Sequence, residues 1–100
     1  MNTPWGQSDN QTKLAEGIVE YSTPSHGGIW LSAKRQAQLP AKMDNFLHDL
    51  MWWEEDCDWV VPYILFKDDI SKYGMAYKFI ENLSVAYITA KRYHPEVLHA

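Results

Sequence analysis

The chain has 100 residues, a net charge of −4 and a pI near 5.4. This length predicts a single domain over residues 1–100, because two halves would each be too small to bury a core. A hydrophobic content of 46%, with 14% aromatic residues, excludes disorder over most of the chain. The acidic balance argues against a broad phosphate-binding face. We therefore expect no direct nucleic-acid partner, but a protein partner that is itself basic.

The single cysteine, Cys57, excludes an internal disulfide, so nothing points to an oxidising compartment. The first residues carry neither the basic nor the apolar segment of a secretory signal, and no apolar run approaches the roughly 20 residues of a membrane helix. We therefore expect a cytoplasmic protein with no membrane partner. No motif predicts a cofactor.

The first half of the chain predicts a β-hairpin after a polar segment. Residues 1–13 predict a largely irregular segment, from which Trp5 docks onto the domain to remove its indole from water. Residues 18–22 and 29–31 are rich in β-branched and aromatic side chains, which favour strands. Residues 23–28 contain a proline and two glycines, so they predict the loop that joins the two strands.

Helical signals follow the hairpin. Ser32 is a predicted N-cap for a short helix over residues 33–37. Asp44 is a predicted N-cap for a second helix, whose apolar residues Phe46, Leu47, Leu50 and Met51 have helical spacing.

The second half of the chain predicts two further helices. One begins near Asp58, although residues 58–66 are dense enough in β-formers to leave an extended segment as the alternative. Residues 67–69 predict a turn. A long last helix carries an apolar stripe that includes Leu83, Ala86, Tyr87 and Ala90, and it ends at His94-Pro95 because proline disfavours helix in the residue before it. The predicted fold class is α+β: a small antiparallel sheet or β-hairpin packed against three or so helices, the last of them long.

Charge and aromatic side chains are concentrated in one stretch. It reads Trp52-Trp53-Glu54-Glu55-Asp56-Cys57-Asp58-Trp59. The spacing matches no acidic metal-binding loop, so no metal site is predicted. Acidic residues favour the positive end of a helix, which makes helix-start electrostatics the simplest interpretation. A surface that binds a partner is the functional one.

The loop Ser25-His26-Gly27-Gly28 is the best candidate for chemistry. Its backbone N–H groups could form an anion-binding nest, and His26 could act as an acid or base; a tight hairpin with a locally bonded histidine is the simpler interpretation. Cys57 could serve as a nucleophile with His26 as base and Asp58 as orienting acid. Against this, neighbouring carboxylates raise the pKa of a thiol and make the thiolate scarce.

Four segments of the chain stand out together: Thr3-Pro4-Trp5-Gly6, Gly17-Ile18-Val19, Ser22-Thr23-Pro24-Ser25-His26-Gly27-Gly28-Ile29-Trp30-Leu31-Ser32 and Glu54-Glu55-Asp56-Cys57-Asp58-Trp59. They resemble a family of proteins described only as a domain of unknown function, whose members occur in bacteriophages, plasmids and proteobacterial accessory DNA. The resemblance covers roughly residues 3–66. The resemblance implies no known activity. It implies that the histidine loop and the acidic stretch occur together, so we expect them to meet in the fold, with His26 facing Glu54, Glu55 or Asp58.

Two functions follow from these observations. The first is a mobile-element protein that binds a host defence complex of the kind targeted by anti-CRISPR or antirestriction proteins, and blocks its nucleic-acid site. Its contact residues would be Trp52, Trp53, Glu54, Glu55, Asp56 and Asp58. The second is a small hydrolase or metal-dependent enzyme that uses His26, Cys57 and a carboxylate. Binding is favoured, because 100 residues leave little room for a substrate pocket and no complete catalytic motif is present.

Overall fold

A computed structural model describes residues 2–40, 49–73 and 76–99 of the chain. Within these residues it contains strands β1 (Asn2–Thr3), β2 (Gly6–Gln7), β3 (Asn10–Ala15), β4 (Ile18–Ser22), β5 (Gly27–Leu31) and β6 (Trp52–Glu54). The α-helices are α1 (Ala33–Ala37), α2 (Val60–Leu65), α3 (Lys67–Tyr73) and α4 (Ala76–Tyr93), and a 3-10 helix follows at Pro95–His99.

The central element is a four-stranded antiparallel sheet in the order β3-β4-β5-β6. Its middle pair is the predicted hairpin, with Ile18 opposite Leu31 and Ser22 opposite Gly27. β6 adds to the far side of β5, where Trp53 lies opposite Ile29. The predicted α+β class is confirmed, with a small antiparallel sheet, a second two-stranded sheet and a long helix near the C-terminus.

The prediction of a largely irregular segment over residues 1–13 is wrong. β1 and β2 form a two-stranded sheet, and residues 10–13 belong to β3. β3 is an edge strand whose side chains are largely exposed, so its polar sequence does not conflict with strand pairing. The docking of Trp5 is confirmed, because its ring packs edge-to-face on Trp52 with centroids 5.7 Å apart.

The two faces of the sheet have different neighbours. Ile18, Ile29, Leu31 and Trp53 lie in the main hydrophobic core, which the sheet shares with the helices. Trp52 points the other way, since neighbouring strand residues alternate between faces, and it packs against Trp5 and Tyr21. The acidic residues that follow β6 therefore emerge from a strand that is buried on both faces.

Local signals placed two helices correctly. Ser32 caps α1 as predicted, with its hydroxyl accepting a hydrogen bond from the Arg35 N–H at 3.3 Å. Residues 60–65 form the helix α2, so the extended alternative is wrong. Pro62 fits there because it occupies the first turn, where a backbone N–H has no partner within the helix.

The segment after α2 is helical where a turn was predicted. Residues 67–73 form α3, in which Asp68 and Asp69 favour the positive end of the helix and Ile70 is buried in the core. α4 ends before His94-Pro95, as predicted. Its stripe is only partly correct: Ala86 and Ala90 are fully buried, whereas Tyr87 is 40% exposed.

The predicted helix that begins at Asp44 lies mostly outside the described residues. Its last two members, Leu50 and Met51, are in a turn and are exposed, so the helix does not reach them. None of the helices in the described part of the chain combines the length and the apolar character needed to cross a lipid bilayer.

Candidate functional site

The histidine loop and the acidic stretch meet at one edge of the sheet, as predicted. The Glu55 N–H donates to the Gly27 carbonyl at 2.9 Å, which continues the pairing of β5 with β6. This brings Nδ1 of His26 to 3.8 Å from Oε1 of Glu55, with both side chains about half exposed. Of the three acids expected to face His26, Glu55 is the partner that the structure shows.

The paired glycines allow neighbouring atoms to approach the backbone closely. Both lie in β5, and neither has a positive φ. A Cβ on Gly28 would collide with the Trp53 carbonyl and the Trp5 ring, and one on Gly27 would lie 2.7 Å from the Tyr21 carbonyl oxygen. The geometry of the strand pairing thus accounts for both glycines without an anion-binding role.

The loop before the glycines is closed by a threonine. The Thr23 hydroxyl donates to the His26 carbonyl at 2.8 Å and accepts from the His26 N–H at 3.0 Å. Ser25 is exposed in this loop. The local hydrogen bonds hold the backbone of His26, while its ring stays partly in solvent beside Glu55.

Asp58 is directed away from His26 and is buried against the C-terminal end of α4. The Asp58 side chain is 3% exposed, and its carboxylate lies 2.8 Å from Nε2 of His94, while Nδ1 of His94 lies 3.0 Å from Glu96. Ionised carboxylates only accept hydrogen bonds, so the two contacts together favour the protonated ring, in which both nitrogens donate. The hydrogen bond to Asp58 raises the pKa of His94 in agreement with this arrangement, and the bond to Glu96 adds to the effect.

The Cys57 thiol lies beside this pair, with its Sγ 3.7 Å from Oδ1 of Asp58. Burial raises the pKa of Cys57 to about 11, and the charges of Asp58 and Glu54 add to the shift. The thiol therefore stays protonated at neutral pH. The combination of Cys57, His26 and Asp58 is not assembled as a catalytic group, since His26 faces Glu55 and Asp58 faces His94.

The predicted contact surface needs three corrections. Trp53, Asp58 and Trp52 are only 0%, 2% and 7% exposed, so none of them offers an accessible aromatic ring or charge. The Trp53 indole is also satisfied, because it donates to the Leu50 carbonyl at 2.8 Å. Glu55 and Asp56 are exposed and Glu54, at the end of β6, is partly buried; we call these three acids the acidic turn.

The acidic turn does not serve the start of a helix. α2 begins at Val60 and has no acidic residue in its first turn, so the helix-start interpretation is wrong. The turn instead bonds within itself, as Oε1 of Glu54 accepts from the Asp56 N–H at 2.6 Å. Two backbone bonds, from Asp58 and Trp59 to the Glu54 carbonyl, fix its end.

An open groove of about 600 Å³ adjoins the acidic turn. It lies between the core-facing side of β3, β4 and β5 and the helices α3 and α4. Its walls include Glu20, Glu55, Asp56, Trp59, Tyr63 and Tyr73. This open groove differs from an enclosed substrate pocket, for which the length of the chain predicted little room. Among the residues that the structure describes, no cluster of three His, Cys, Asp or Glu side chains is arranged to hold a metal ion.

The chain belongs to the family described as domain of unknown function DUF7007, whose model matches residues 1–100. The match includes the C-terminal residues 67–100, which the motifs of the first two thirds of the chain did not reach. None of the curated proteins and none of the solved structures matches the chain.

Proposed function

We propose that this chain acts by binding a protein, using the acidic turn to occupy a basic surface that would otherwise hold nucleic acid. The observation that carries the proposal is the exposure of Glu55 and Asp56, next to the partly buried Glu54, on one ordered turn beside a groove. Clustered like charges produce a local field that accelerates encounter with a partner of opposite sign. The net charge of −4 favours the same class of partner over nucleic acid itself.

The turn is pre-organised for binding. Its internal bond from the Asp56 N–H to Glu54 restricts the backbone, and the buried pair of Asp58 and His94 anchors the residues that follow. A binding element that is already ordered loses less conformational entropy when the complex forms. The order of this turn therefore supports a contact role.

The biological setting that we propose is inhibition of a host defence complex of the anti-CRISPR or antirestriction type. The argument for it is the resemblance to proteins of phages, plasmids and accessory DNA, together with the acidic surface. Defence nucleases hold nucleic acid on basic surfaces, and an acidic protein that occludes such a surface stops the complex without any chemistry of its own.

A hydrolase has less support from the geometry. The Cys57 thiol is protonated at neutral pH. The nearby His94 contacts Asp58 and Glu96, so both of its ring nitrogens are directed at carboxylates. Both ring nitrogens of His94 are therefore engaged by carboxylates rather than by a nucleophile. His26 has its own contact with Glu55.

Affinity capture tests the proposal. The tagged chain is incubated with lysates that contain defence systems, at low and at high salt, and the captured proteins are identified by mass spectrometry. The proposal predicts a stoichiometric partner with a basic surface whose capture weakens at high salt, because screening reduces attraction between exposed charges. Lysates of several defence-bearing hosts that give no stoichiometric partner would overturn it.

A matched pair of variants locates the contact. Glu55→Gln with Asp56→Asn removes two charges from the acidic turn, and Glu16→Gln with Asp68→Asn removes two exposed charges elsewhere. Glu16 lies in the β3–β4 turn, at the opposite end of the sheet from Gly27 and Glu55. Capture should weaken in the first variant and persist in the second. Equal loss in both would mean that only net charge matters.

A further inference from the structure

The backbone of the sheet holds the side chains of His26 and Glu55 next to each other. The Thr23 hydroxyl hydrogen-bonds with both the N–H and the carbonyl of His26. On the neighbouring strand, the Glu55 N–H donates to the Gly27 carbonyl at 2.9 Å. Gly27 also leaves room for the carboxylate, since a Cβ there would lie 3.3 Å from Oε2 of Glu55. The strand pairing and the closed loop therefore keep the ring and the carboxylate together.

The contact between these two side chains is too long for a hydrogen bond. Nδ1 of His26 lies 3.8 Å from Oε1 of Glu55, whereas N–H···O hydrogen bonds are about 2.7–3.2 Å long. Both side chains are about half exposed. The Glu55 carboxylate consequently has a face in solvent, beside the exposed Asp56, where a positive group of another molecule can reach it.

Protonation of His26 changes the charge at this end of the sheet. Histidine is the side chain that ordinarily gains or loses its charge between about pH 5 and pH 8, whereas carboxylates as a class are ionised over most of that range. The acids described near the ring, besides Glu55, come from β4, from β6 with its turn and from the segment before β3: Glu20, Glu54, Asp56 and Asp9, whose Oδ1 lies 3.4 Å from the Ser22 hydroxyl. A protonated ring thus adds a positive charge next to the acidic turn.

We propose that His26 is an internal competitor for the acidic turn that acts in its protonated form. The neutral ring leaves Glu55 to a cationic group of the partner, and the protonated ring pairs with Glu55 and displaces that group. Binding of a basic surface is then coupled to release of a proton from His26, so affinity rises with pH as the ring loses its proton. This inference rests on the proposed function and adds to it a means of control.

An oligolysine peptide tests the competition without the natural partner. Its ammonium groups stay charged up to about pH 9, so a change in affinity below that pH comes from the chain. Binding to the full chain is measured by calorimetry at low salt, at about pH 5.5 and about pH 7.5, on either side of the ordinary titration of histidine. Because a unit charge about 4 Å from another in water changes affinity about fivefold, we expect binding about fivefold tighter at the higher pH.

Calorimetry also counts the protons released on binding. The titration is repeated near pH 6.5 in two buffers with different heats of ionisation, and the difference in binding heat gives the number of protons. We expect the wild type to release a fraction of one proton per bound peptide. A merely structural role of His26 in its loop predicts no proton release.

Three variants assign the effect to one ring. His26→Gln removes the titrating group and keeps a polar side chain, and Glu55→Gln removes the carboxylate beside it. His99→Gln is the matched control, because it removes an exposed histidine from the 3-10 helix. We expect His26→Gln to lose the proton release and most of the pH dependence, and His99→Gln to keep both. Glu55→Gln should bind more weakly at about pH 7.5 and should also lose most of the pH dependence.

Equal affinity of the wild type at both pH values would overturn the inference. So would an unchanged pH dependence in His26→Gln, or a peptide that does not bind the wild type even at low salt.

The failure of this inference differs from the failure of the proposed function. If a natural partner is captured and is lost in Glu55→Gln with Asp56→Asn, but its affinity has the same pH dependence in His26→Gln, the acidic turn binds and His26 does not compete. If peptide binding depends on pH through His26 but no lysate yields a partner, the competition stands and the proposed function is wrong.

Discussion

Replacing His94 by alanine tests whether the acidic turn is anchored by a buried ion pair. Asp58 is 3% exposed in its side chain and His94 is 12% exposed, so the variant leaves a carboxylate inside the protein without its cation. Removing one partner of a buried pair costs about 3 kcal/mol or more. We expect His94→Ala to lower the free energy of unfolding by about that amount.

His26→Ala is the matched control, since it removes the histidine of the other histidine–carboxylate pair. That pair is about half exposed, and its atoms are 3.8 Å apart. An exposed pair contributes from about 0 to about 1 kcal/mol. Both variants are measured by urea denaturation followed through tryptophan fluorescence, with the slope m used to check that unfolding stays two-state.

A second substitution separates loss of charge pairing from loss of packing. Asp58→Asn placed in the His94→Ala background removes the carboxylate that was left without a cation. We expect it to recover part of the lost stability, because the unpaired charge accounts for most of the cost. Equal effects of His94→Ala and His26→Ala, or no recovery in the double variant, would refute the view that the pair is a buried anchor.

Three further predictions follow from the same region. The pKa of His94 in the folded chain is raised above its ordinary value of 6.5, so the stability that the protonated ring contributes is complete below pH 6.5 and is lost as the pH rises through the folded pKa. The difference in unfolding free energy between the wild type and His94→Ala should therefore shrink from acid to alkaline pH. A difference that stays constant with pH would contradict this. Cys57, with a pKa of about 11 against the ordinary 9.0, should react with iodoacetamide about 100-fold more slowly at pH near 8 in the folded chain than in urea, and equal rates would refute the shift. Gly28→Ala should destabilise the sheet by about 2 kcal/mol in urea titrations, because the added Cβ meets the Trp53 carbonyl; an unchanged midpoint would show that the strands can move apart.

The elements that the sequence predicted well have strong local signals. Ser32 has the side chain of an N-cap, the residues before Thr23 are β-branched or aromatic, and the pair His94-Pro95 ends a helix. β3 had no such signal, because an edge strand with exposed side chains does not need apolar residues. α3 was missed because seven residues rich in charge also fit a turn.

The candidate site was predicted only where a motif brought its parts together. The meeting of His26 with the acidic stretch followed from the resemblance, and Glu55 proved to be the contact. The pair of Asp58 with His94 joins residues 36 positions apart, a separation at which periodicity and spacing carry no information. The groove had one signal in the sequence, because Glu20 interrupts the apolar side of β4. A charged residue at an apolar position of a central strand indicates that its side chain is not packed in the core.

The central claim is that this chain occupies a surface that would otherwise bind nucleic acid. The most direct measurement is competition: the captured partner is loaded with labelled nucleic acid and titrated with the chain at constant salt, and release is followed by fluorescence anisotropy. The account predicts complete, stoichiometric release, with Glu55→Gln and Asp56→Asn together shifting the titration to higher concentration. A stable ternary complex, in which the partner holds the chain and the nucleic acid together, would contradict it.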